Sequence, residues 1–143
     1  MEQDTIKLLR ECDAGVKMGT ESIDDVLRYA HNRELKNHLS RCKEEHCALG
    51  KEIEEILSTY GDEGKEPNMM AKGMSFIKTG IKLGCDNSDH TIADLMTDGC
   101  NMGVKSLNKY LNKYKAADER SKDIAKRLIT LEKKLTDDVK EYL

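Results

Sequence analysis

His38, Cys42 and His46 recur every four residues, and at ~100° per residue they share one helical face with Leu35, Leu49 and Ile53. Imidazole and thiolate are the donors that hold zinc or another borderline ion, and a cysteine beside a histidine is also the pairing that activates a nucleophilic thiolate. If the chain folds back near residue 31, Asp13 and Val16 come opposite residues 46 to 49. Asp13, on the edge of its own apolar face, is then expected to meet His46. A metal site would combine Asp13 and Cys42 with His38 or His46. One ion does not reach both histidines readily, because eight residues of helix rise ~12 Å. The simpler reading packs Cys42 as a small hydrophobe and lets His46 hydrogen-bond Asp13 or a backbone group, with no metal assigned. No oxyanion loop, Gly-rich phosphate loop or Ser/His/Asp set accompanies these residues, so no catalytic residue is assigned either. Cys47 lies across the same helix from Leu49 and is expected to be exposed. With Cys85, beside a chain break in the pattern, it is the more oxidisable thiol. Met69, Met70 and Met74 offer soft donors, yet at helical spacing they read as core filler.

The elements that must position these groups are helical. The 143 residues include one Pro, one Phe and no Trp, and 36% of them are charged, an inventory of helix formers and poor strand formers. Leu9, Val16, Ile23, Leu27 and Ala30, with Cys12 and Gly19 beside them, mark a first helix from about residue 4. A polar turn at His31 and Asn32 leads to a second stripe, Leu35 to Tyr60. Gly61, Gly64 and Pro67 break the chain, and Met69, Met70, Met74, Ile77 and Ile81 predict a short amphipathic helix in the connection that follows. Ser88 can cap a third helix, whose inner face carries Ile92, Leu95, Met96, Gly99, Gly103, Leu107, Tyr110 and Tyr114. Gly99 and Gly103 would admit a neighbouring backbone. Asp118 can cap a fourth, turning Ser121, Ile124, Leu128, Leu131, Leu135, Val139 and Tyr142 inward.

Charge and cysteine usage exclude several classes. Lysine and arginine number 24 against 27 acidic residues, so no global attraction to nucleic acid or membrane is expected. Residues 105 to 134 hold ten basic against four acidic side chains, but the aromatic residues among them, Tyr110 and Tyr114, belong to the inner face of the third helix, so no stacking platform for bases is expected. Five cysteines without a C-x-x-C pair read as reduced thiols. With no apolar run of ~20 residues and no leader-like start, the expectation is one cytoplasmic domain spanning residues 1–143.

Two long helices, a long connection and two more long helices make an all-α four-helix bundle with one crossover. The segments LLRECDAGVKMGTESIDDVL, LKNHLSRCKEEHCALGKEIEEIL and MTDGCNMGVKSLNKYL resemble the ferritin-like superfamily, and within it the chain is most similar to DUF2383, a family of small bacterial proteins. The resemblance rests on the helix pattern, Gly15 after Asp13, the Glu52-Ile53 pair, Gly99 and Tyr110. It implies a ferritin-like fold with a short extra helix in the crossover and, in metal-bearing members, a di-iron carboxylate centre with iron or oxygen chemistry. That centre takes a Glu from each of two helices and a Glu-x-x-His pair from each of the other two. Here the residues three before His31, His38, His46 and His90 are Arg28, Leu35, Lys43 and Asn87, and the fourth helix has no histidine. Asp94 and Asp98 point outward, and the third and fourth helices are expected to present hydrocarbon to the axis. The expected role is therefore structural or protein-interacting rather than enzymatic, with no cofactor. The expected partner is a second copy, as a dimer, or another helical protein, and neither membrane nor nucleic acid. The alternative is iron or zinc held between the first two helices by Asp13, His38, Cys42 and His46.

Overall fold

The computed structural model describes residues 2–66 and 88–143, so Pro67, the short helix expected over 69–81 and Cys85 lie outside the described residues. Among the described residues the chain forms long helices α1 (Glu2–Leu27), α2 (Arg33–Thr59), α3 (Ser88–Lys113) and α4 (Glu119–Val139), closed by a 3-10 turn, Lys140–Tyr142, and contains no strand. None of these helices is long and apolar enough to cross a membrane.

Each boundary has a local cause. Glu2 and Asp4 place negative charge in the first turn of α1, where the helix dipole favours it. The Asn32 side chain accepts a hydrogen bond from the Leu35 amide at 3.1 Å and caps α2, and Asp118 does the same for α4 through the Ser121 amide at 2.8 Å. At the end of α2, Gly61 takes φ +71°, and the amides of Gly61 and Asp62 donate to the carbonyls of Ser58 and Leu57 at 3.0 Å each. That closes the last turn in the way glycine allows. Ser88 is not a cap outside the helix as expected. It is the first described residue of the helix and already helical, buried, and its hydroxyl finds no partner among the described residues.

Contacts between the ends give the connectivity. The Asp89 carboxylate in the first turn of α3 accepts from the amides of His31 and Asn32 at 2.7 and 3.0 Å, and the Tyr142 hydroxyl donates to Asn32 Oδ1 at 3.1 Å. At the opposite end the Ala116 amide donates to Asp4 and the Asp118 amide to Thr5 Oγ1. Helices α2 and α3 therefore start at the same end and run parallel, while α1 and α4 run the other way. This is an all-α four-helix bundle with one long crossover, the connectivity that the ferritin-like resemblance implies. Around it, α1 packs on α2, α2 on α4 and α4 on α3; α1 and α3 close the ring most thinly.

The core falls into two apolar clusters. One holds Leu8, Leu9, Val16, Leu49, Ile53, Leu107, Ile124 and Leu128; the other holds Ile23, Val26, Leu35, Leu39, Ile92, Met96, Leu135 and Val139. Leu8 and Val26 join the α1 face beyond the expected positions, whereas Leu27 at the helix end is only partly buried. Because Asp118 is exposed, its cap can be tested without disturbing the core. Asp118→Ala should cost ~1 kcal/mol in urea denaturation with an unchanged m-value. A loss within a few tenths of wild type would remove the cap from this account.

Candidate functional site

Between the two clusters, one level of the bundle carries no apolar side chain. On α1, Gly19 lies between Val16 and Ile23; on α2, His46 lies between Cys42 and Leu49. On α3, Gly103 lies between Cys100 and Leu107; on α4, Glu132 lies between Leu128 and Leu135. Two glycines face two large polar side chains. A Cβ at residue 19 would stand 2.9 Å from His46 Cδ2 and 3.0 Å from its Nε2, and one at residue 103 would stand 3.1 Å from Glu132 Oε2. The expected role of Gly103 is thereby corrected: it makes room for a carboxylate rather than for a neighbouring backbone.

His46 is 2% exposed. Its Nδ1–H donates to the Cys42 carbonyl at 2.8 Å, with Cys42 Sγ 3.5 Å away. That bond leaves Nε2 aimed at Glu132 Oε1 across 3.6 Å, too far for a hydrogen bond, and Nε2 has no other partner among the described residues. Burial alone would lower the His46 pKa, but the hydrogen bonds to Cys42 and the nearby Glu132 carboxylate charge outweigh it and raise it to about 10. At neutral pH the layer thus holds an imidazolium beside a carboxylate. The Cys100 thiol lies against Glu132, and burial together with that negative charge holds it far above the ordinary thiol range. Burial likewise pushes Cys12 up to about 12. Neither is a reactive thiolate.

The expected meeting of Asp13 and His46 does not occur. The Asp13 carboxylate, 2% exposed, takes Lys17 Nζ at 2.9 Å and the Lys65 amide at 3.0 Å, beneath Gly64, whose φ is +91°. The cause is side-chain direction. A helical side chain leans toward its own N-terminus, so His46 reaches toward the α1–α2 turn and lands on Gly19, about two turns beyond Asp13. His38 is separate again, its Nδ1 lying 3.5 Å from Asp138 Oδ2 on α4. Of the four residues singled out on chemical grounds, only Cys42 and His46 are together. Cys47 is exposed, as its place on the helix predicts.

The expectation that the fourth helix presents only hydrocarbon is overturned by Glu132. Leu131, assigned inward, is partly buried, and Glu132 is the residue at the axis. The signal was present: Leu128, Glu132, Leu135 and Val139 are spaced by four, three and four, a continuous inward stripe. Glu11 was also missed. Its carboxylate is ion-paired with Lys65 and lies against the Tyr110 phenol, which burial and that negative charge push up to about 12.

These groups line a cavity of about 270 Å³ that opens between α1 and α3 and is floored by α4. His46 and Glu132 stand at one side, Glu11 and Tyr110 at another, with Gly15, Gly19, Ile23, Leu95, Met96, Gly99, Gly103, Leu107, Leu128 and Leu135 between. A di-iron centre does not fit here. The layer supplies one His and one Glu where about six hard donors are needed, and Glu11 is engaged elsewhere. Among the described residues no group of three or more His, Cys, Asp or Glu is placed to hold a metal ion. The basic stretch on α3 and α4 is partly neutralised by α2, since Arg127 pairs with Glu52 and Lys134 with Glu45. Compared with protein-family profiles, characterised proteins and solved structures, the chain shows no significant match to any.

Two predictions follow from the layer. His46 is raised on folding, so its contribution to stability is complete below pH 6.5 and is lost as pH climbs toward 10. Urea midpoints of the wild type should fall between pH 6.5 and 9, before the buried thiols facing Glu132 and Glu11 add a loss of the same sign. In His46→Gln that part of the fall should vanish; parallel curves for the two proteins would refute the pairing. Gly19→Ala should destabilise by roughly 1 kcal/mol in net, overpacking of ~1–3 kcal/mol outweighing a helix-propensity gain of ~1 kcal/mol. In a His46→Ala background the same change should become stabilising. Gly15→Ala, whose Cβ would meet Leu128 at an ordinary 3.5 Å, is the control and should stabilise in both backgrounds. A double-mutant cycle without this reversal of sign would argue against the contact.

Proposed function

We propose that this chain is a ferritin-like bundle that works without di-iron chemistry, as a non-enzymatic binding protein whose cavity takes a small, mainly apolar molecule. The observation that carries this is His46 Nε2, its residue 2% exposed and the atom without a hydrogen-bond partner among the described residues, on the wall of a cavity whose centre is lined by glycine and hydrocarbon and whose rim carries Glu11, Lys65, Glu66 and Tyr110. A buried polar group left unpaired costs about 1–3 kcal/mol, so its persistence points to a partner that the fold does not itself supply. Apolar walls with a few convergent polar atoms are the usual make-up of a small-molecule site.

An interior ligand accounts for the chain better than a surface partner does. Met102 and Leu143 are the exposed large apolar side chains among the described residues, too little for the apolar centre of a stable protein interface. A reducing compartment such as the cytoplasm suits the free thiols of Cys12, Cys42, Cys47 and Cys100. Among the described residues nothing near the cavity pairs a nucleophile with a base and an oxyanion site, and the raised thiols of Cys12 and Cys100 favour binding over catalysis.

Toluene, chosen as a featureless probe, should raise the melting temperature of the full chain in a concentration-dependent way, by linkage of binding to folding. Ala14→Phe, on the cavity wall, should abolish that shift while leaving the helical circular dichroism intact. A wild type that melts at the same temperature with and without saturating toluene would overturn the binding reading.

A further inference from the structure

The polar end of the cavity has a definite shape. His46 Nε2 and Glu132 Oε1 stand 3.6 Å apart, so an oxygen ~2.8 Å from both would sit at the apex of a triangle on them, a place that a small shift of ring or carboxylate must open because Nε2 has almost no accessible surface. With the ring protonated on both nitrogens, Nε2–H is the donor left for that oxygen, since Nδ1–H is committed to the Cys42 carbonyl. The carboxylate must accept from it. The atom that fits both demands is a hydroxyl oxygen, which offers a lone pair to the imidazolium and a proton to the carboxylate.

The charged alternatives fit less well. A ligand carboxylate accepts from Nε2–H but has no proton for Glu132, and sets a second negative charge beside it. A ligand ammonium donates to Glu132 but has no lone pair for Nε2–H, and sets a second positive charge beside the ring. Both leave an uncompensated charge where His46 is 2% exposed and the Glu132 side chain 12% exposed. Among the other described polar groups on the wall, Glu11 and Tyr110 are engaged with Lys65 and with each other and Glu66 is paired with Lys17, which with Ser22 and Ser106 leaves His46 as the most deeply buried polar group there. A 150 Å³ apolar cavity holds a benzene ring, and this one, at about 270 Å³, has room for a tail of about eight carbons.

The geometry points to a neutral molecule with one hydroxyl and an apolar body of about eight carbons as the ligand, its oxygen bridging His46 Nε2 and Glu132. This rests on the binding reading above, and the test separates the two. Isothermal titration of the full chain at pH 7 with 1-octanol, octylamine, sodium octanoate and toluene compares three head groups and none. Octanol should bind at least tenfold more tightly than either charged homologue. Glu132→Gln, which keeps the shape and loses the charge, should weaken octanol at least fivefold and leave toluene unchanged. If octanoate or octylamine equals octanol while toluene still binds, the hydroxyl assignment falls and the binding reading stands. If Glu132→Gln folds and leaves octanol affinity unchanged, the bridge falls. If none of the four binds, both fall. Should Glu132→Gln fail to fold, the wild-type series decides the head group alone.

Discussion

An imidazole ring and a carboxylate sit at the axis of this bundle, and both are enclosed only because the helices opposite them carry no side chain at that level. Gly19 and Gly103 are the space that His46 and Glu132 occupy. A Cβ at either glycine would stand 2.9–3.1 Å from the ring or the carboxylate, closer than packed atoms approach, so the polar side chain would have to shift. From this one constraint come the division of the core into two clusters and the cavity between α1 and α3. The relative heights of the helices also follow from it.

The polar layer bears on specificity more than on net stability. Two charges taken out of water recover their hydration only in part, so a buried pair is weak evidence of stabilisation; separating it is what costs most. Sliding α2 along α1 by one turn would press the His46 ring onto Val16 or Ile23, and sliding α4 along α3 would press Glu132 onto Cys100 or Leu107. A uniformly apolar bundle tolerates such shifts because one leucine stripe resembles another. Ties at the ends hold the same register: Asp89 to the α1–α2 turn, Tyr142 to Asn32, and Asp4 and Thr5 to the α3–α4 turn.

Architecture and activity separate cleanly here. The crossover connectivity is one that metal-bearing bundles use, but a shared connectivity does not confer their chemistry, which depends on the donors at the axis. Among the described residues those donors are a single histidine held by its own helix backbone and a single carboxylate across a gap, beside hydrocarbon. Such an end wall suits a polar atom that can both accept and donate, and the Cys100 thiol against Glu132 is held protonated by burial.

What the sequence alone determined is everything that depends on neighbours within a turn or two. The stripes of leucine and isoleucine set four helices, Asn32 and Asp118 start two of them, and Gly61 and Gly64 stop one, because capping and periodicity act over three or four residues. The bundle class followed, and so did the exposure of Cys47 and the outward turn of Asp94 and Asp98. The tertiary structure decided the pairings between helices. Asp13 turned to Lys17 and Lys65, and His46 to Gly19 and Glu132, because side chains lean toward their own N-termini and shift the apparent register of an antiparallel pair. Glu132 was legible as a member of its stripe, yet a glutamate becomes a core residue only when another helix brings it an imidazole and a third leaves it room. No reading of one helix contains those two facts.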